Sequence, residues 1–195
     1  MAKNRKIEII KTAEKRFIKH GLNKTTLDEI ARDLRLGKST IYHYFDSKEE
    51  LYYETIKNEI KEYLDEINSL LNNDNGEFLN PIKQYLQSKV SIKTKFPLIF
   101  KVFQYIISER ANVVENDIFC DLLIKEENRL NVFLHSVIKE NKQVKIQENT
   151  GKRLVSTSNY LLIFNEINEM SKLENQLDLL MNEIDIFLGF LFPGL

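Results

Sequence analysis

Three features of this 195-residue sequence predict an all-α fold. Only six glycines and three prolines are present, so there is little material for tight hairpins. No segment alternates apolar and polar residues over a strand's length, whereas apolar residues recur at spacings of three and four. Long runs rich in Leu, Ile, Lys and Glu complete the pattern. With 43% hydrophobic residues the chain can bury a substantial core, and about nine helices are expected.

The first helix is predicted over Lys3–His20, with Ile7, Ile10, Ala13 and Phe17 inward and Gly21 as its stop. Thr26-Leu27-Asp28-Glu29 reads as a capping box, in which the first and last side chains satisfy each other's free backbone amides. It opens a second helix that buries Leu27, Ile30, Ala31 and Leu34. The break at Arg35–Gly37 has the length of a helix-turn-helix connection. A short third helix is predicted over Lys38–Tyr44, anchored by Ile41 and Phe45. The residues between those anchors are hydrogen-bonding groups, an arrangement suited to recognising DNA. Ser47-Lys48-Glu49-Glu50 is a second capping box and starts a long helix with Leu51, Ile56, Ile60, Tyr63 or Leu64, Ile67 and Leu70 inward.

Asn72–Gly76 ends that helix with turn chemistry. Asn80-Pro81 and Pro97 begin the next two helices, proline being suited to the first helical position. Further helices are expected over about 116–141, 148–170 and 172–192. The domain boundary is expected at 46/47, with residues 1–46 forming the helix-turn-helix domain and 47–195 the helical body.

The formal net charge is −1, but residues 1–48 carry +6 and the remainder −7. This polarity fits a nucleic-acid-binding end on a non-binding body. Cys120 is the only cysteine, which excludes an intrachain disulfide, and its apolar neighbours predict a small core residue. The charged start is not followed by an apolar run of signal-peptide type, and the apolar stretch near Ile186–Pro193 is too short to span a bilayer. A cytoplasmic protein is expected. There is no nucleophile–histidine–carboxylate spacing, no Gly-rich phosphate loop and no cysteine or histidine cluster. Neither enzyme, metal site nor cofactor is therefore expected.

Over about residues 7–51 the sequence resembles the DNA-binding domain of the TetR family of bacterial transcriptional regulators. The matching positions are Ile10, Ala13, Phe17, Gly21, Thr25, Thr26, Ile30, Ala31, Leu36, Lys38, Thr40, Ile41, Tyr42, Tyr44, Phe45, Lys48 and Leu51. Two positions depart from the common pattern. Arg35 stands where glycine is usual in the turn, which implies a positive φ. Gly37 stands where serine usually caps the third helix.

The resemblance implies that residues matching Thr40, Tyr42, Tyr44 and Lys48 clamp the DNA backbone. Lys38, Ser39, Thr40 and His43 are the candidates for base edges, with Thr25, Thr26 and Lys48 at helix starts that flank the groove. It also implies a homodimer, a pseudo-palindromic operator and release by a small apolar or aromatic effector. Phe100, Phe103, Phe119, Phe133, Tyr160 and Phe164 are the candidate pocket residues. Leu177, Leu180, Ile184, Phe187, Leu188 and Leu191 are the candidate dimer contacts. A cytosolic helical protein that binds a small molecule or partner, with vestigial DNA contacts, is the alternative from a different functional class.

Overall fold

The computed structural model describes residues 2–72, 79–140, 146–171 and 176–192, and the side chains of 4–72, 79–140, 146–163 and 181–192. All regular structure among the described residues is helical. The helices are α1 (Ala2–Lys24), α2 (Leu27–Asp33), α3 (Lys38–Tyr42), α4 (Lys48–Leu71), α5 (Leu79–Ser88), α6 (Ile92–Lys95), α7 (Pro97–Ile107), α8 (Val113–Glu140), α9 (Thr150–Ser171) and α10 (Gln176–Leu191). A 3-10 turn, Lys89–Ser91, joins α5 to α6. The chain divides into two compact units. One comprises Met1–Tyr63 with Thr94–Cys120, the other Leu64–Lys93 with Asp121–Leu195. The expected boundary at 46/47 falls at the start of α4, but the first unit continues past it into α4, α7 and the first turns of α8.

In the first unit, α1 buries Ile9, Ala13 and Phe17 completely. This corrects the expected stripe, since Ile7 is 43% exposed and Ile10 half-buried. Positions 9, 13 and 17 are four apart and share one helix face, which leaves 7 and 10 on its flanks. The helical path breaks at Gly21, where φ 75° and ψ 173° lie in a region that only glycine occupies without strain. A Cβ here would also overlap the Tyr105 hydroxyl. Thr25, fully buried, closes the corner by donating its hydroxyl to the Gly21 carbonyl at 2.8 Å.

The expected capping box opens α2. The Glu29 N–H donates to the Thr26 hydroxyl oxygen at 3.3 Å, and the Thr26 N–H donates to the Glu29 carboxylate at 3.0 Å. Arg16 reaches across from α1 and makes two parallel 2.7 Å bonds to the Asp33 carboxylate. Those bonds hold the Asp33 carboxyl below its ordinary range. The end of α2 is a Schellman corner. The Leu36 N–H donates to the Ala31 carbonyl at 2.8 Å and the Arg35 N–H to the Arg32 carbonyl at 3.1 Å. Arg35 has the expected positive φ, 55°.

At α4 the serine half of the second box forms, with the Glu50 N–H donating to the Ser47 hydroxyl at 2.9 Å. The Glu50 carboxylate accepts from the Asp46 N–H, one residue earlier than expected, at 2.6 Å. Leu51, Ile56, Ile60, Tyr63, Leu64 and Ile67 are buried as expected, but Leu71 takes the place foreseen for Leu70. Pro97 opens α7 as expected, behind Phe96, a residue with no side chain able to cap. Glu59 of α4 supplies that cap by accepting the Ile99 N–H at 2.8 Å. α8 begins with another reciprocal pair, Asn112 and Glu115, and Asn112 also donates to Asn23 at the end of α1 at 3.2 Å.

The second unit packs around Leu64, Ile67, Ile82, Leu86, Leu130, Leu134, Leu154 and Leu161. Within it lies a buried polar knot. The Glu126 carboxylate accepts the Tyr85 hydroxyl at 2.6 Å and the Lys89 ammonium at 2.5 Å, and Tyr85 also meets the Ser158 hydroxyl at 2.8 Å. Such a pair is retained because removing one partner strands a buried charge, at about 3–5 kcal/mol. Cys120 is exposed rather than in the core. It shares the outward side of α8 with Asp117 and Asp121, while Ile118 and Leu122 face in.

Burial is the main cause that pushes the Glu59 carboxyl up to about 7 from an ordinary value near 4.5. Glu14 and Glu62 push it the same way, against the amides of Ile99 and Leu98. The folded protein therefore holds this proton more tightly than the unfolded chain. The resulting stability is complete below about pH 4.5 and is lost as pH rises through about 7. Denaturant titrations between those limits should show that loss, at most about 3 kcal/mol. In Glu59→Gln, whose amide oxygen can still accept the Ile99 N–H, this part of the pH dependence should vanish.

Candidate nucleic-acid interface

The corner at Arg35 and the two anchors decide which way α3 points. Ile41 and Phe45 are buried, so the short helix can present only its other face. That face carries Lys38, Ser39, Tyr42 and His43, all exposed, with Thr40 and Tyr44 half-buried at its edges. Gly37 starts the helix with extended backbone and, having no side chain, adds no cap.

The exposed groups are not independent. The Lys38 ammonium lies 2.7 Å from the Asp28 carboxylate of α2 and 6.0 Å from the centre of the Tyr42 ring. Its bond to Asp28 raises its pKa, which keeps it cationic. The Asp28 contact was not foreseen in the sequence. The two residues are ten apart across a turn whose shape periodicity does not specify. The His43 ring meets the Tyr44 ring edge-on, with centres 5.2 Å apart.

Three of the expected contacts have prior engagements. Thr25, expected at a helix start flanking the groove, is fully buried with its hydroxyl bonded to the Gly21 carbonyl, so its side chain faces the core. Thr26 is exposed, but its hydroxyl and amide are both bonded to Glu29. Lys48 donates to the Leu22 carbonyl at 2.8 Å, tying the start of α4 to the end of α1. The helix starts expected to attract phosphate are thus partly occupied by the chain's own carboxylates, Glu29 at α2 and Glu50 at α4.

The body residues separate as well. Phe100, Phe103 and Phe119 belong to the first unit, with ring centres 6.4 and 6.2 Å apart along the series. Phe133 lines a hollow of the second unit. Tyr160 is 58% exposed on α9, which removes it from the expected pocket wall, and the Phe164 side chain lies outside the described residues. Of the expected dimer contacts, Ile184, Leu188 and Leu191 are buried in their own unit, and Phe187 is half-buried. The first three are therefore corrected to intrachain packing. The side chains of Leu177 and Leu180 lie outside the described residues. On α10 the exposed apolar residues are Ile186 and Phe190, the latter 76% exposed. No group of three or more His, Cys, Asp or Glu placed to hold a metal occurs among the described residues. None of their helices is long and apolar enough to cross a membrane.

A three-helix domain with a short exposed third helix, joined by α4 to further helices, defines a helix-turn-helix protein with an all-helical body. Residues 9–55 match the family described as bacterial regulatory proteins, tetR family. The match covers the helix-turn-helix segment and the first turns of α4, and the fold corresponds to that of a solved transcriptional regulator over 94% of this chain.

Among curated relatives, it is 31% identical over 81 residues to IcaR of Staphylococcus epidermidis, the negative regulator of the biofilm operon icaADBC. It is 41% identical over 69 residues to YhgD of Bacillus subtilis, an uncharacterised helix-turn-helix transcriptional regulator. These matches cover 42% and 34% of this chain, and 43% and 36% of the relatives' own lengths. Among solved structures, the reduced form of Escherichia coli NemR superposes with a TM-score of 0.68 at 16% identity, covering 93% of this chain and 95% of that one. A regulator from Saccharomonospora viridis, solved with choline, gives 0.69 at 14% identity, covering 95% and 96%. At these identities the structures show a shared fold.

Thr25 separates a structural role from a binding role. Thr25→Val keeps the shape and removes the buried bond to Gly21, so chemical denaturation should show a loss of about 1 kcal/mol. Any salt dependence of duplex binding should match that of the parent chain, because no phosphate contact is removed.

Proposed function

We propose that the chain is a transcriptional repressor that binds a pseudo-palindromic duplex operator as a homodimer and is released by a small effector held in its helical body. The observation that carries this reading is the exposed face of α3. A cation, two hydroxyl-bearing side chains and an imidazole stand on a helix whose anchors Ile41 and Phe45 are fully sequestered. Lys38 can address guanine O6 and N7, His43 can reach a base edge, and Tyr42 and Tyr44 can bond phosphate oxygens. The +6 charge of residues 1–48 supplies the sequence-independent attraction. Negative regulation follows the named role of IcaR, and a cytoplasmic location follows from binding the chromosome.

Dimerisation is assigned to the outward faces of α9 and α10. Tyr160, Ile186 and Phe190 expose apolar surface there, which a second copy would cover. Two recognition helices related by a twofold axis require half-sites about one helical turn, or a multiple of it, apart. α4 starts immediately below α3 and continues into the second unit, so it is the covalent path by which an effector would act. Switching from almost fully competent to almost fully incompetent requires about 5.5 kcal/mol of differential effector binding.

Selection of duplexes retained by the purified chain from a randomised pool tests the reading. Two inverted half-sites should emerge, and His43→Ala should relax preference at one position in each. Tyr42→Ala should weaken binding to every selected duplex and flatten its salt dependence by about one phosphate contact. If no duplex is retained even at low salt, the reading fails, and the ligand-binding or partner-binding alternative takes its place.

A further inference from the structure

Arg129 is a cation with no counter-charge among the described residues. It lies on α8 within the second unit, and its Nη1 donates to the Lys125 carbonyl, one turn back, at 3.0 Å. Its Nε is buried and has no hydrogen-bond partner, and it forms no ion pair among the described residues. Two carboxylates of the same helix are engaged elsewhere. Glu126 is held by Lys89 and Tyr85, and Asp121 by Lys125 at 2.6 Å.

Beside Arg129 is a hollow of about 390 Å³, walled by the last turns of α4 and by α8. Its polar lining consists of the amides of Asn68, Asn72 and Asn128 and the hydroxyl of Ser136. The apolar wall is Leu71, Val132 and Phe133. Among the described residues, Arg129 is the only charged one in this lining. Two other hollows differ. The one beside Glu59 sets three carboxylates against two lysines, and the one beside Arg153 has that guanidinium bonded to Gln147 at 2.8 Å.

We propose that the Arg129 hollow binds an organic oxyanion carried by an aromatic or short aliphatic body. The guanidinium and the neighbouring amides receive the anion, and Leu71, Val132 and Phe133 receive the body. A planar fork of N–H donors matches carboxylate or phosphate oxygens in pairs, and a donor-rich lining without carboxylates adds no repulsion. The volume lies within the range of small-molecule sites. The effector role of this site rests on the regulator reading above, whereas the binding itself does not.

Calorimetric titration of the full chain with benzoate, phenyl phosphate and inorganic phosphate tests the proposal. Benzoate or phenyl phosphate should bind saturably, one per chain, and whichever binds more tightly identifies the oxyanion. Inorganic phosphate, lacking the body, should bind more weakly than phenyl phosphate. Arg129→Gln should weaken the better probe at least about tenfold, and Arg129→Lys should restore little, because a point charge lacks the fork. Val132→Glu, at a position 73% exposed and so tolerant of change, should abolish binding by offering Arg129 an internal carboxylate. Absence of saturable binding by all three probes overturns the proposal, as does unchanged affinity in both Arg129→Gln and Val132→Glu. Duplex binding measured on the same variants separates the two readings. Binding of DNA without any anion refutes this site alone, and binding of an anion without any DNA refutes the regulator reading alone.

Discussion

The corner at Gly21 is the constraint on which the rest of the first unit depends. α1 must stop there, with φ 75° and ψ 173°, for Thr25 to return its hydroxyl to the Gly21 carbonyl and for Thr26 to cap α2. The same bend leaves room for Tyr105 of α7. Lys48 and Asn112 then reach the residues just beyond it, Leu22 and Asn23, from α4 and α8. Four later elements thus converge on the end of one helix. The direction of α3 follows from this corner through α2 and the Schellman turn at Arg35.

Carboxylates supply much of the wiring in this unit. Glu29, Glu50, Glu59 and Glu115 each accept a backbone N–H at or near a helix start. Three act next to their own helix, and Glu59 serves a helix other than its own. Caps of this kind satisfy orphan amides and complement the macrodipole. They also occupy the positions where phosphate would otherwise be attracted. On the proposed reading, phosphate attraction would rely on Lys38, Tyr42 and their neighbours, in a segment whose charge excess lies in side chains. The second unit uses a different device, a buried knot around Glu126, and Arg129 pairs with no carboxylate among the described residues.

Local chemistry made the first quarter of the chain legible. The box at Thr26, the serine half of the box at Ser47, the break at Gly21, the strained Arg35 and the anchors Ile41 and Phe45 depend on neighbours within about five residues, and each is found in the structure. What sequence could not resolve depended on distant partners or on small phase errors. Ile9 replaces Ile7 and Ile10 because a stripe read three and four apart can drift by one position around a helix. Thr25 looks like Thr26 in sequence, and only the folded corner distinguishes a buried hydroxyl from an exposed one. Cys120 lies among apolar residues along the chain yet on the wet side of α8. Aromatic content alone does not say which rings of the body face the same hollow. Of the five expected pocket residues whose side chains are described, Phe133 lines the hollow beside Arg129.

The central claim is that the glycine corner sets the direction of α3. It is tested most directly by Gly21→Ala, assayed for thermal stability and for binding to a selected duplex. An L-residue at this φ and ψ carries about 1–3 kcal/mol of backbone strain and must displace Tyr105. The account predicts a lower melting temperature and, at a temperature where the variant remains folded, weaker duplex binding. A Gly21→Ala chain that melts and binds its operator like the parent would contradict it.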